Sequence, residues 1–209
     1  MYFQAALNNG FSETTTQRIV LDDDDPDIFR THAAWLFEHK IDCDSSTYEE
    51  EEAHLYELYI FADKRGIHGL ADDTVTILAW TWTSDLLSLA VAQRYLPLLR
   101  SKSPLYNLVL DNIILKIRHL KGIKFWEVSE FGEFSEEVLL DLLKRENAYS
   151  GDFMGHDACM QSICRYHVHR KCYSSEYPVC FSAFHMSLLN ERDREHLRQV
   201  EWRWYDFHD

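Results

Sequence analysis

Glycine and proline are scarce in this chain, 7 and 4 among 209 residues. Few turns and long coils are therefore expected, and most of the chain should lie in regular structure. No apolar run approaches the length needed to cross a bilayer, so no membrane partner is expected. Positive charge is in deficit: 21 basic residues face 35 acidic ones, for a net charge of −14. A chain of that sign repels phosphate backbones, which argues against a nucleic-acid partner. The stretch Met1–Gln4 has no basic region followed by an apolar one, so no secretory signal is expected. The five cysteines are an odd number, and reduced thiols in the cytoplasm or nucleus are the expectation. No glycine loop to cradle phosphate and no nucleophile elbow is present, so the chain does not read as an enzyme.

What is present is enough apolar material for a core, 46% of residues, with 14% aromatic. Tryptophans and tyrosines at helical spacing are read as core. The acidity is concentrated in two runs, Asp22–Asp25 and Glu49–Glu52, each read as a solvated loop or helix end.

Apolar periodicity is helical almost throughout. Phe3, Leu7 and Phe11 predict a short helix over 2–9, stopped by Asn8-Asn9-Gly10. Arg18–Leu21 and Ile41–Cys43 read as two short strands. Asp25-Pro26 is an N-cap and first-turn pair opening a helix to about His39, with Phe29, Ala33, Leu36 and Phe37 as its expected core face. Ser46 or Thr47 caps the next helix, which carries Leu55, Leu58, Tyr59 and Ala62 on one face and ends at Gly66. Further helices are expected over about 70–80, from Asp85 to Tyr95, from Ser103-Pro104 to about Leu120, and from Ser135 with Val138, Leu139, Leu142 and Leu143 buried. Residues 151–186 lack periodicity and are rich in Cys, His and aromatics, and a charged helix is expected from Asn190.

The sequence Cys164-x2-His167-x-His169-x2-Cys172-x7-Cys180 supplies the thiolates and imidazoles that a structural zinc ion wants. Spacing does not decide which four would bind. The alternative is a loop of free thiols and surface imidazoles, with no cofactor.

Three stretches, in order, resemble a BTB/POZ domain of fungal type. They are Phe3–Glu13; Ile19–Phe29 continuing to Trp35-Leu36-Phe37-Glu38-His39-Lys40-Ile41; and Leu55-Tyr56-Glu57-Leu58-Tyr59-Ile60-Phe61-Ala62-Asp63-Lys64 through Leu70. The resemblance implies a predominantly α-helical α+β chain. Its parts would be a partial BTB/POZ-like lobe over 1–82, a helical extension over 83–150, and a Cys/His segment with a charged C-terminal helix over 151–209. It also implies that the family's preceding strands and dimer-forming helix are missing, as Met1 stands two residues before the matching Phe3, and that apolar faces are exposed as a result. The implied function is protein–protein interaction with other BTB/POZ modules, a cullin scaffold or substrates, as an adaptor for a ubiquitin ligase. Phe11-Ser12-Glu13 matches the hydrophobic-x-glutamate element of cullin-binding members. Phe11 would fill a pocket and Glu13 would fix register; otherwise Phe11 is buried and Glu13 merely solvated. The rival readings are a zinc-stabilised regulatory module and a non-functional fragment of a truncated gene.

Overall fold

The computed structural model describes residues 8, 12–16, 18–19, 21, 24–38, 40–43, 45–84, 87–119, 133–148 and 163–167. Among them the chain is predominantly helical and contains no strand. The helices are α1 (Ser12–Thr16), α2 (Pro26–Glu38), α3 (Tyr48–Arg65), α4 (His68–Ser84), α5 (Leu89–Tyr95), α6 (Pro104–His119) and α7 (Glu136–Ala148). Tight 3-10 turns follow α5 at Leu96–Leu98 and recur at Ile163–Tyr166.

Local chemistry sets the helix starts. Asp25 caps α2, its Oδ1 accepting from the Asp27 N–H at 2.7 Å. Thr47 caps α3 by accepting from the Glu50 N–H at 3.2 Å, and Glu50 reaches back to the Ser46 N–H at 3.0 Å and hydroxyl at 2.8 Å. This reciprocal arrangement occupies donors that a bare helix start leaves open. The Ser103 and Ser135 hydroxyls cap α6 and α7 by accepting from the Tyr106 and Val138 N–H groups. Gly66 ends α3 with φ +65, the left-handed geometry that glycine adopts without strain, and the Ile67 N–H then bonds back to the Ala62 carbonyl at 2.9 Å. Helix α5 begins at Leu89 under a Ser88 cap, later than the expected Asp85 start.

One apolar cluster runs from Ile28 to Tyr166. α3 and α4 pack most extensively; α2 and α5 lie against α3, α6 against α4, and α7 against α6. Leu55, Leu58, Tyr59 and Ala62 are buried as their spacing predicts. α4 is different: every residue from Leu70 to Trp80 is buried, including Asp72, Asp73, Thr74 and Thr76. A helix covered on all sides must satisfy its polar groups internally. Thr74 and Thr76 do so by donating to the carbonyls four residues back, at 2.7 and 2.9 Å. The turn at Ile163–Tyr166 docks on α6 and α4, with the Tyr166 hydroxyl donating to Asp111 Oδ2 at 2.7 Å.

The expected strands do not form at the described residues: Arg18, Ile19, Leu21 and Ile41–Cys43 are irregular. A strand is stable only as part of a hydrogen-bonded ladder, and β-branched composition supplies no partner. The expected helix over 2–9 lies outside the described residues except for Asn8, which is helical. The expected helix from Asn190 lies outside them altogether. Leu143, expected in the core, is 60% exposed, because α7 turns Val138 and Leu142 inward instead.

Candidate functional site

Helix α2 presents two different faces. At 100° per residue, Ile28, Thr31, His32 and Trp35 share one side, and the structure turns this side inward. Ile28, Thr31 and His32 are buried, and the His32 ring lies 5.2 Å from that of Phe61 on α3. Thr31 Oγ1 is 2.9 Å from His54 Nε2 on α3, and the Trp35 indole N–H donates to Asp73 Oδ2 on α4 at 2.7 Å. The Trp35 ring also covers Gly69, where an added Cβ would meet it at 3.4 Å. Burial holds both His32 and His54 below the ordinary imidazole value.

Phe29, Ala33, Leu36 and Phe37 occupy the neighbouring side. Phe29 is 40% exposed, Leu36 52% and Phe37 82%. Phe29 keeps one edge on the Phe61 ring, with centroids 6.3 Å apart, so the stripe starts at the rim of the core and runs out into solvent. Asp25, Asp27, Glu38 and Asp42 are exposed, as are Arg30 and Lys40. Arg30 is paired with Asp27 at 2.8 Å. The sequence identified these four residues as one face but assigned that face to the core. Helical spacing groups residues by side; it does not say which side turns inward. Here the ring contacts and hydrogen bonds of His32, Thr31 and Trp35 decide the orientation.

The second notable group is buried. Glu52, expected on a solvated acidic turn, is 1% exposed. Its Oε1 accepts from the Trp82 indole N–H of α4 at 3.2 Å, and its Oε2 from the Ser88 N–H ahead of α5 at 3.1 Å. The Ser88 hydroxyl donates to Glu49 Oε1 at 3.1 Å. Burial pushes the Glu52 carboxyl from 4.5 up to about 8; the Ser88 and Trp82 donors pull the other way, and Glu49 adds to the rise. Glu52 is therefore a neutral acid near pH 7. Sealed from solvent, it ties α3, α4 and α5 together and presents nothing to a substrate. A signal for it was in the sequence: Glu52 stands three and four residues before the buried Leu55 and Tyr56, on the same side of α3.

Most of the residues singled out for chemistry lie outside the described residues. Phe11 and the Glu13 side chain lie outside the described residues, as do the Cys164 side chain, His169, Cys172 and Cys180. His167 is described, and it is buried, with Nε2 at 2.9 Å from Thr76 Oγ1 on α4. That nitrogen is engaged by a hydroxyl. Among the described residues no three His, Cys, Asp or Glu side chains converge as a metal site, and no helix is long and apolar enough to cross a membrane. Comparison with protein-family models, with curated proteins and with solved structures finds no match for this chain.

Proposed function

We propose that this chain is a protein–protein interaction module, built on a partial BTB/POZ-like lobe of the α+β type with a helical extension, and that it is not an enzyme. The observation that carries the reading is the exposed apolar stripe of α2. Phe29, Leu36 and Phe37 together leave roughly 300–400 Å² of side chain in water. At about 25 cal/mol per Å², covering it is worth roughly 8–10 kcal/mol before the cost of association is subtracted. A contiguous patch of this kind marks an interaction site. The stripe also lies within the second of the three stretches that resemble BTB/POZ domains. By the same resemblance the partners are another BTB/POZ module, a cullin scaffold or a substrate, with Phe11 and Glu13 as cullin contacts.

A photo-crosslinking side chain placed at Phe37 of the full chain in cells is expected to give protein adducts that the same group at Leu143 does not. Identical adduct patterns at the two positions would remove α2 as the recognition surface. The adaptor role is tested separately, by binding to a cullin N-terminal region. Wild type is expected to bind, and Phe11→Ala and Glu13→Ala to weaken it. Absence of wild-type binding eliminates the cullin.

A further inference from the structure

We infer that Glu52 is a proton-operated latch on α5: with its proton it holds the start of α5 against α3, and without it that start lifts and admits water. Three observations lead to this, none of which depends on the interaction-module reading.

The first is what surrounds the carboxyl. α3 sets Glu49 and the Tyr56 phenol beside it, α4 the Trp82 indole, and the approach to α5 the Ser88 N–H. Of these, Glu49 and Tyr56 titrate, and both are acids. Among the described residues no cation faces Glu52. Ionisation therefore seals a negative charge against two neutral donors, with no countercharge. Water relieves such a charge, and water enters only where a wall moves.

The second is that one serine joins two glutamates. Ser88 gives its N–H to Glu52 at 3.1 Å and its O–H to Glu49 at 3.1 Å, while its Oγ caps α5 by accepting from the Val91 N–H at 3.4 Å. Glu49 and Glu52 stand three residues apart on one side of α3. With both ionised, like charges flank the residue that starts α5, and their repulsion falls there.

The third is which wall is weakest. α4 has 17 residues, packs more extensively on α3 than any other helix does, and is buried from Leu70 to Trp80. α5 has seven residues. Its start meets Glu52 through one backbone N–H, and Glu49 beside it is exposed. Opening there connects the carboxyl to solvent while α3 and α4 stay paired. A local opening of this kind costs less than unfolding the chain. It uncovers Leu87 and Leu89, both buried in the closed form.

Linkage sets the pH window. Burial raises the Glu52 carboxyl from 4.5 to about 8 in the closed form, and hydration returns it to its ordinary value in the open one. The closed form is favoured in full below 4.5, loses ground as pH rises, and levels off above about 8. Between these limits the opening constant rises about tenfold per pH unit.

Amide hydrogen exchange of the purified full chain tests the latch, followed by NMR at about pH 6, 7 and 8 and corrected for the base-catalysed rate of free amides. The Ala92 N–H, bonded to the Ser88 carbonyl at 3.0 Å, reports on α5. Its corrected rate is expected to rise about tenfold per pH unit and to respond little to dilute urea. Leu78 in α4 is expected to exchange more slowly, through openings that urea strongly promotes. Glu52→Gln is expected to abolish the pH response at Ala92. Ser88→Ala keeps the N–H on Glu52 but loses the hydroxyl on Glu49, so it should speed exchange at Ala92 at each pH and leave the response in place.

A corrected Ala92 rate that does not change with pH overturns the inference. So does one that matches Leu78 in rate and urea dependence, since α5 then opens only when the whole chain unfolds. A response that persists in Glu52→Gln assigns the switch to another group and overturns it too. If the glutamine variant does not fold, the comparison of Ala92 with Leu78 in the wild type decides.

Discussion

Replacing Glu52 by glutamine gives the sharpest test of the packing described above. The folded chain holds this carboxyl near 8 against an ordinary 4.5. Below 4.5 both folded and unfolded chains are protonated there. As pH rises from 4.5 towards 8 the unfolded chain ionises while the folded chain keeps its proton, so stability is lost through that window and levels off above it. The full displacement corresponds to about 5 kcal/mol, and the step from about pH 7 to about pH 8 to about 1 kcal/mol. His32 and His54, both held low by burial, contribute the opposite slope below about pH 7, so the upper step isolates Glu52. Glutamine keeps the shape of the neutral acid but sets its amino group against one of the two N–H donors, at a cost of about 1–3 kcal/mol at any pH. Urea unfolding followed by far-ultraviolet circular dichroism reads both effects. The wild-type midpoint should fall by about 0.3–1 M between those two pH values, and the Glu52→Gln midpoint should start lower and stay put. Equal shifts in the two proteins, or a wild type that gains stability over this step, would refute the assignment of a buried neutral acid.

Two further substitutions probe how α3 is bounded. Thr47→Ala removes the acceptor for the Glu50 N–H and should cost about 1 kcal/mol in the same unfolding assay, with Thr47→Ser restoring most of it. Gly66→Ala should cost about 1–2 kcal/mol although an added Cβ meets nothing within 4 Å, because the penalty lies in its φ of +65 and not in crowding; a neutral result would mean that this turn adopts another conformation.

The parts of the fold that were legible in the sequence are those fixed by neighbours along the chain. Asp25 with Pro26, Thr47, Ser103 with Pro104, Ser135 and Gly66 each act within one turn, so their roles follow from local chemistry. What failed depended on contacts distant in sequence. Glu52 looked like one more residue of an acidic helix start, until Trp82 and Ser88, 30 and 36 positions away, closed over it. Asp24 looked like part of a solvated run, yet it pairs with the buried Arg65 at the end of α3. The α2 stripe was found as a set and assigned the wrong environment, because hydropathy ranks Phe29, Leu36 and Phe37 above His32 and Thr31 as core. Hydropathy does not register that His32 stacks on Trp35 and packs on Phe61, or that Thr31 meets His54. The candidate surface was thus legible in its membership and not in its exposure.

Docking of residues 163–167 on α4 has a consequence for biosynthesis. Thr76 meets His167 across 91 positions of chain, and Asp111 meets Tyr166 across 55. At roughly 5–20 residues per second, a ribosome delivers His167 about 5–20 seconds after Thr76 has left the peptidyl transferase centre. During that interval the flank of α4 that this turn will cover stands open, and nascent-chain chaperones have time to engage it before Tyr166 and His167 dock.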